Sequence, residues 1–272
     1  MPGSNKRIDL PAFFECLSGA RKSALLLDYD GTLAPFQVDR DQALPYPGVS
    51  MLLTGIMRTG HTRLVVISGR RAGEVLRLLG LDPHPEIWGV HGLQRLKPDG
   101  SCELPEINDG TQQALTEAAR WTEQMGLGRL IEHKPGSVAL HWRELSAEEQ
   151  SESRRIALLK WLPIADRAGL LLQQFDGGLE MRMAHRDKGD AVRSVLAEID
   201  PAAPVAYLGD DITDDDAFQA LTDRGLRVLV RPEYRQTTAD LWLRPPAELL
   251  AFLADWLEAC RCAERKLAHQ GS

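Results

Sequence analysis

The sequence predicts an α/β protein with a parallel sheet, interrupted by a second, α+β domain inserted into the first. Three observations predict it. Short unbroken apolar runs alternate with amphipathic stretches at both ends of the chain, the pattern of parallel strands buried on both faces. The middle of the chain switches to period-two alternation with polar turns, the pattern of an antiparallel sheet. The first pattern resumes after the second, so the middle is an insertion.

Each element has its own signal. "ALLL" (24–27) reads as a buried strand, and 48–59 as a helix leading to a second strand at 63–68. "RRAGEVLRLLG" has helical spacing and a glycine stop at Gly80. Towards the C-terminus come a helix at 188–199, strands at 205–208 and 226–230, a helix at 215–222 and a long amphipathic helix at 247–267. Between these halves, "GSVALHWR" and "LLLQQFDGGLEMRM" alternate as strands, with helices expected at 110–124 and 147–162. The expected division is a core of 1–93 and 184–272 with an inserted domain at 94–183.

Composition narrows the function. The chain has 272 residues, 43% hydrophobic and 26% charged, with a net charge of −7. An acidic balance argues against a nucleic-acid partner but permits an anionic small substrate, because local charge decides that. The four cysteines have neither zinc-ligand nor disulfide-framework spacing. The N-terminal stretch lacks a signal-peptide apolar region, and no run approaches the ~20 apolar residues of a membrane span. The expectation is a monomer of the reducing cytoplasm, with no membrane partner.

The chemistry lies at strand ends, where parallel sheets bind ligands. Asp28 and Asp30 follow "ALLL", and "GDDITDDDAF" after "VAYL" supplies Asp210, Asp211 and Asp214. Two acidic loops at one sheet edge repel unless a cation lies between them. Carboxylate and water ligands suit Mg²⁺. A calcium-loop reading of "DYDGTLAPFQVD" fails: Leu33 sits where glycine is needed, and a strand precedes the loop instead of a helix. Ser68 and Gly69 end another strand at a helix start, an arrangement that binds phosphate but also serves as a plain helix cap. Lys188 opens a helix, where its charge opposes the helix dipole and calls for an anionic neighbour.

These four pieces, in this order, resemble the haloacid-dehalogenase (HAD) phosphatases: "DYDGTL", "ISGR", the lysine of "DKG", and "GDDITDDDAF". The resemblance is closer still to the trehalose-6-phosphate phosphatases, with Glu132-His133-Lys134, His141-Trp142-Arg143 and Leu179-Glu180-Met181-Arg182 matching that family's second domain. It implies a HAD-type Rossmann-like core with an inserted α+β (C2-type) cap that closes on the substrate. It implies Asp28 as nucleophile forming an aspartyl-phosphate, Asp30 as general acid and base, and Ser68 and Lys188 on the transferring phosphoryl group. Mg²⁺ would be held by Asp28, the Asp30 carbonyl and Asp210, with Asp211 and Asp214 in support. Ser68, Gly69, Arg70, His91, Glu132, Lys134, Arg143 and Glu180 would bind the sugar phosphate. Gln94 and Gly178 depart from the family pattern, which leaves open another glycosyl osmolyte phosphate as substrate. A phosphomutase on the same scaffold and a non-catalytic binding module are the remaining alternatives.

Overall fold

The computed structural model describes residues 9–37, 39–175, 177–184 and 187–270. They fall into two compact units, Met1–Cys102 with Asp187–Ser272, and Glu103–Arg186.

The first unit is built on an eight-stranded sheet. In chain order its strands are β1 (Ser23–Leu27), β2 (Thr62–Ile67), β3 (Glu86–Gly89), β4 (Gln94–Leu96) and β5 (Cys102–Glu103). The second unit contributes α4 (Asp109–Gln124), β6 (Ile131–Lys134), β7 (Ser137–His141), α5 (Ala147–Ala168), β8 (Leu170–Phe175) and β9 (Gly178–Met183). The first unit then resumes with β10 (Val205–Gly209), β11 (Leu226–Val230) and β12 (Leu241–Leu243). Its helices are α1 (Leu10–Gly19), α2 (Val49–Arg58), α3 (Ala72–Leu79), α6 (Lys188–Ala197), α7 (Asp215–Leu221) and α8 (Ala247–Gln270).

The sheet order is β12-β11-β10-β1-β2-β3-β4-β5. Pairs from β12 to β3 are parallel, and β3 pairs antiparallel with β4. The chain runs outward from β1 towards β2 and β3, then returns to the other side of β1 as β10. The order therefore reverses between β1 and β10, and in such sheets the crevice at the strand ends of that reversal is where ligands bind.

Period-two geometry splits the strands between two apolar layers. Leu25, Leu27, Leu64, Val66, Leu208 and Val228 face a core with α2, α3 and α8. Ala24, Leu26, Val65, Ile67 and Tyr207 face a core with α6 and α7. Both faces of β1 are thus dry, and each fully buried leucine contributes about 1.5–3 kcal/mol.

The second unit is a four-stranded antiparallel sheet, β6-β7-β9-β8, with α4 and α5 on one face. Val138, Leu140, Leu179 and Met181 point to the helices. Ala139 lies between Glu132 and Glu180 in the ladder, so both glutamates share the opposite face.

Three differences from the sequence expectation have a packing reason. Residues 94–102 belong to the first unit, because β4 extends the large sheet through its pairing with β3. The helix expected to stop at 162 continues through Pro163 to Ala168, because Ile164 and Ala165 still pack in the core and Gly169, at φ 64°, caps it. Helix α1 was not anticipated. Asp9 caps it by accepting from the Ala12 N–H at 3.1 Å, and Phe13 and Phe14 pack on Trp256 and Phe252 of α8.

Candidate active site

The end of β1 delivers Asp28 into a dry pocket of charge. Its N–H donates to the Leu208 carbonyl at 2.8 Å, which continues the β1–β10 ladder to the catalytic edge. Asp28 Oδ1 accepts from Lys188 Nζ at 2.7 Å, and Thr32 Oγ1 lies 3.5 Å from Oδ2. Lys188 Nζ also donates to Asp214 Oδ1 at 2.7 Å. Asp28, Lys188, Asp210 and Asp214 are all 3% exposed or less, so water does not screen them.

Lys188 opens α6 without a dipole penalty of consequence, because its charge is spent on these two carboxylates. The helix start itself is held by a reciprocal pair: Asp187 accepts from the Asp190 N–H and Asp190 accepts from the Asp187 N–H.

Asp214 is saturated. Besides Lys188 it accepts from Tyr207 Oη at 2.6 Å, and its Oδ2 accepts from the N–H groups of Asp210 and Asp211 at 3.0 and 2.9 Å. Asp210 is different. Its Oδ1 is buried with no hydrogen-bond partner, the sole such side-chain atom among the described residues. A buried carboxylate oxygen left bare costs several kcal/mol unless a cation takes it. Carboxylate oxygens of Asp28, Asp210 and Asp214 lie within 4.8 Å of one another. Three buried carboxylates face one buried ammonium there, so the cluster is short of positive charge. The donors are all hard oxygens. The residues therefore fit a small divalent cation such as Mg²⁺, with Asp28 and Asp210 as its side-chain holders. Asp214 is occupied in positioning Lys188 and the Asp210 loop, and the Asp211 carboxylate is not part of the cluster.

The electrostatics follow from burial. Asp28 is pushed up to about 7, chiefly by loss of water, with Lys188 pulling it down and Asp214 pushing it up. Asp210 is driven well above the usual carboxylate range by burial and then by Asp28 and Asp214. Burial works against the charge on Lys188, but Asp214 and Asp28 outweigh it and hold the ammonium above its ordinary value. Tyr207 is likewise held well above a free phenol, by burial first and the Asp214 charge second, so it stays a donor.

Gly31 closes the loop from below. It has φ 83°, and a Cβ there would lie 2.2 Å from Asp210 Oδ2, so only glycine lets the two acidic loops meet.

The loop after β2 brings Ser68, Gly69 and Arg70 to the same edge. Ser68 is buried and its Oγ accepts from the Arg70 N–H at 3.1 Å. The His91 ring packs on Gly69, where a Cβ would come within 2.7 Å of it. That placement has a backbone cost: Val90 and His91 have φ of 52° and 54°, uncommon for residues with a Cβ. The strain is held by hydrogen bonds from Val90 N–H to Arg70 and from His91 N–H to Ser68 carbonyls, at 2.8 and 2.9 Å.

Arg70 was expected on the substrate. Its guanidinium grips Asp30 through two parallel bonds of 2.7 Å, and donates to the Arg40 carbonyl at 2.8 Å. Both oxygens of the Asp30 carboxylate are thereby held by one guanidinium.

In the second unit, the expected sugar-binding residues form one network. Glu180 accepts from Ser137 Oγ at 2.8 Å and from Lys134 Nζ at 3.3 Å. Glu132 lies 3.5 Å from Lys134 and 2.8 Å from His141 Nε2. Arg143 lies along Gly177, whose missing Cβ leaves room for it.

Both departures from the family pattern have packing roles. Gln94 Oε1 accepts from the Ala72 N–H at 3.0 Å and so caps α3. A Cβ on Gly178 would lie 2.0 Å from Phe175 Cζ, which shuts a side chain out of that position. Tyr207 and Arg235 are functional neighbours that sequence reading passed over. The tyrosine's signal was a hydroxyl in an otherwise apolar strand, three residues before the first aspartate of the acidic loop.

A parallel sheet with buried aspartates beside its reversal point and a buried lysine between them defines a HAD-type phosphatase core. Solved structures share the fold. The Candida albicans trehalose-6-phosphate phosphatase C-terminal domain superposes with a TM-score of 0.77 at 18% identity, covering 95% of this chain and 99% of that one. Trehalose-6-phosphate phosphatase from Aspergillus fumigatus gives 0.67 at 25% identity, covering 93% and 98%. A HAD-superfamily phosphatase from Bacteroides thetaiotaomicron gives 0.59 at 16% identity, covering 86% and 95%. The profile of the trehalose-phosphatase family matches residues 26–242, and the chain belongs to that family. Among curated relatives, the trehalose-phosphate phosphatase of Mycobacterium marinum is 31% identical over 244 residues, and that of Mycobacterium avium 30% over 282. These alignments take in 85% and 94% of this chain but 60% and 70% of the relatives. No helix among the described residues is long and apolar enough to cross a membrane.

Proposed function

We propose that the chain is a Mg²⁺-dependent phosphatase that releases phosphate from trehalose 6-phosphate through an aspartyl-phosphate on Asp28, acting as a cytoplasmic monomer. The observation that carries this reading is the buried Asp28–Lys188–Asp214 chain beside the bare Oδ1 of Asp210.

An Asp28 oxygen attacks phosphorus and the bond from phosphorus to the sugar oxygen breaks. Asp30, in its acid form, gives that oxygen its proton. Asp30 then takes a proton from water as the water oxygen attacks the aspartyl-phosphate, which releases phosphate and restores Asp28. Lys188 and Ser68 hold the phosphoryl oxygens during both steps. A bound Mg²⁺, held by Asp28, the Asp30 carbonyl and Asp210, would offset the repulsion between an anionic nucleophile and an anionic substrate. Glu132, Lys134, Arg143 and Glu180 take the sugar hydroxyls, Gly69 and His91 frame the phosphate side, and Arg70 acts beside them through Asp30. Since Gln94 and Gly178 are explained by packing, neither argues for a different sugar.

The test is phosphate release from trehalose 6-phosphate, glucosylglycerol phosphate, glucosylglycerate phosphate, sucrose 6-phosphate and glucose 6-phosphate, with Mg²⁺ and with EDTA. Preference for trehalose 6-phosphate, lost in EDTA and abolished in a folded Asp28→Asn variant, is expected. Preference for another member overturns the substrate, and turnover near wild type in Asp28→Asn overturns the nucleophile.

A further inference from the structure

The loop between β11 and β12 reaches back to the acidic loop through Arg235, with Thr237 and Arg231 beside it. Arg235, 16% exposed, uses all five of its N–H donors. Its Nε donates to the Asp210 carbonyl at 3.1 Å and its Nη2 to the Asp211 carbonyl at 2.6 Å. The same nitrogen and Nη1 grip the Asp215 carboxylate at 2.9 and 3.0 Å, and Nη1 also donates to the Gln236 carbonyl at 3.2 Å. Thr237 Oγ1 donates to Asp215 Oδ1 at 2.8 Å, which fixes the carboxylate in the fork. Arg231 Nη1 reaches the Asp210 carbonyl at 3.4 Å.

Asp214 holds the N–H groups of Asp210 and Asp211 from the other side. The peptide groups around Asp210 are therefore engaged at both ends, and the loop has no slack. Asp210 Oδ1 is its buried side-chain atom without a hydrogen-bond partner.

We infer that Arg235 is a positioning residue for the cation site: by clamping the Asp210 and Asp211 carbonyls it aims the Asp210 carboxylate at the ion. Its bonds go to the Asp210, Asp211 and Gln236 carbonyls and to the Asp215 carboxylate, so it acts through the loop. This rests on the reading of Asp28 and Asp210 as cation holders. The guanidinium fork is required, because it spans two carbonyls and a carboxylate at fixed angles. A lysine supplies a point charge with three donors and cannot span all three.

The experiment is Mg²⁺ titration by calorimetry, without substrate, on wild type, Arg235→Lys and Asp215→Asn. Groups that orient metal ligands in this way typically alter affinity 10–100-fold, so Arg235→Lys should bind Mg²⁺ about tenfold or more weakly. Asp215→Asn, which weakens the fork but leaves the carbonyl contacts, should show a smaller loss in the same direction. Activity at saturating Mg²⁺ should recover a larger share of the wild-type value than activity at low Mg²⁺. If Arg235→Lys is folded and binds Mg²⁺ within twofold of wild type, the inference is overturned while the site reading stands. A fall in melting temperature with unchanged affinity means a merely structural role and overturns it equally. Should Arg235→Lys fail to fold, wild-type affinity in Asp215→Asn overturns it. Wild type binding no Mg²⁺ at millimolar concentration overturns the site reading itself, and this inference with it.

Discussion

In the proposed mechanism Asp30 has two duties that its neighbour Arg70 has to reconcile. The bidentate grip fixes the orientation of the carboxylate, which suits the step in which it takes a proton from water. Delivering a proton to a sugar oxygen requires that grip to loosen. Arg70→Lys should therefore lower kcat on trehalose 6-phosphate by about 10–100-fold, the scale of a misplaced catalytic group. An aryl phosphate, whose phenolate leaves without a proton, should lose much less. Equal losses on both substrates would place Arg70 on the phosphate instead. At this scale the sequence was informative about residue types and silent about pairing. The order of motifs identified Asp28, Lys188 and Asp210. It did not show that Asp214 would be spent on four donors, or that Arg70 would turn to Asp30, because both depend on loops far apart in the chain.

At the level of elements, β-strand patterning was legible wherever both faces are apolar, as in β1, β2, β10 and β11. The short strands β4, β5 and β12 were not, since two or three residues carry no period. Helix α5 runs on through Pro163, beyond its expected end at 162, because tertiary packing of Ile164 and Ala165 outweighs the missing N–H. The hairpin β8–β9 gives the sharpest test of packing. Gly178→Ala drives a methyl into the Phe175 ring and towards the Leu140 carbonyl 2.7 Å away. Such overpacking costs about 1–3 kcal/mol, measured by urea unfolding. An unchanged midpoint would show that Phe175 swings aside freely, and would reopen the position to substrate selection.

The first unit is also tied together at the N-terminal ends of β2 and β3. Arg63 of β2 and Arg95 of β4 both bond Glu86 of β3 and Glu198 at the end of α6. A carboxylate at a helix C-terminus is ordinarily unfavourable, and the two guanidinium groups reverse that. Glu198 is held down to about 2, chiefly by its bond to Arg95, with burial opposing and Arg63 assisting. A depressed carboxylate contributes stability that is present above its unfolded value of about 4.5 and lost as pH falls towards 2. Glu198→Gln should accordingly melt below wild type at pH 7, and the two curves should converge between pH 4.5 and 2. A gap that persists at low pH would mean that Glu198 acts through packing alone.

The position of β1 in the middle of the sheet has a consequence for how the molecule is made. Its neighbour on one side, β2, emerges from the ribosome soon afterwards, but β10 is separated from it by the whole inserted unit: Ala24 pairs with Val205. Throughout that interval the leucine-rich strand has one open edge, and an open apolar edge invites pairing with other chains. The acidic residues at its tip are likewise unmatched until Lys188 arrives. A nascent chain stalled within the insertion should be prone to clump and unable to hold the ion, so synthesis passes through its most vulnerable stage just before the site becomes whole.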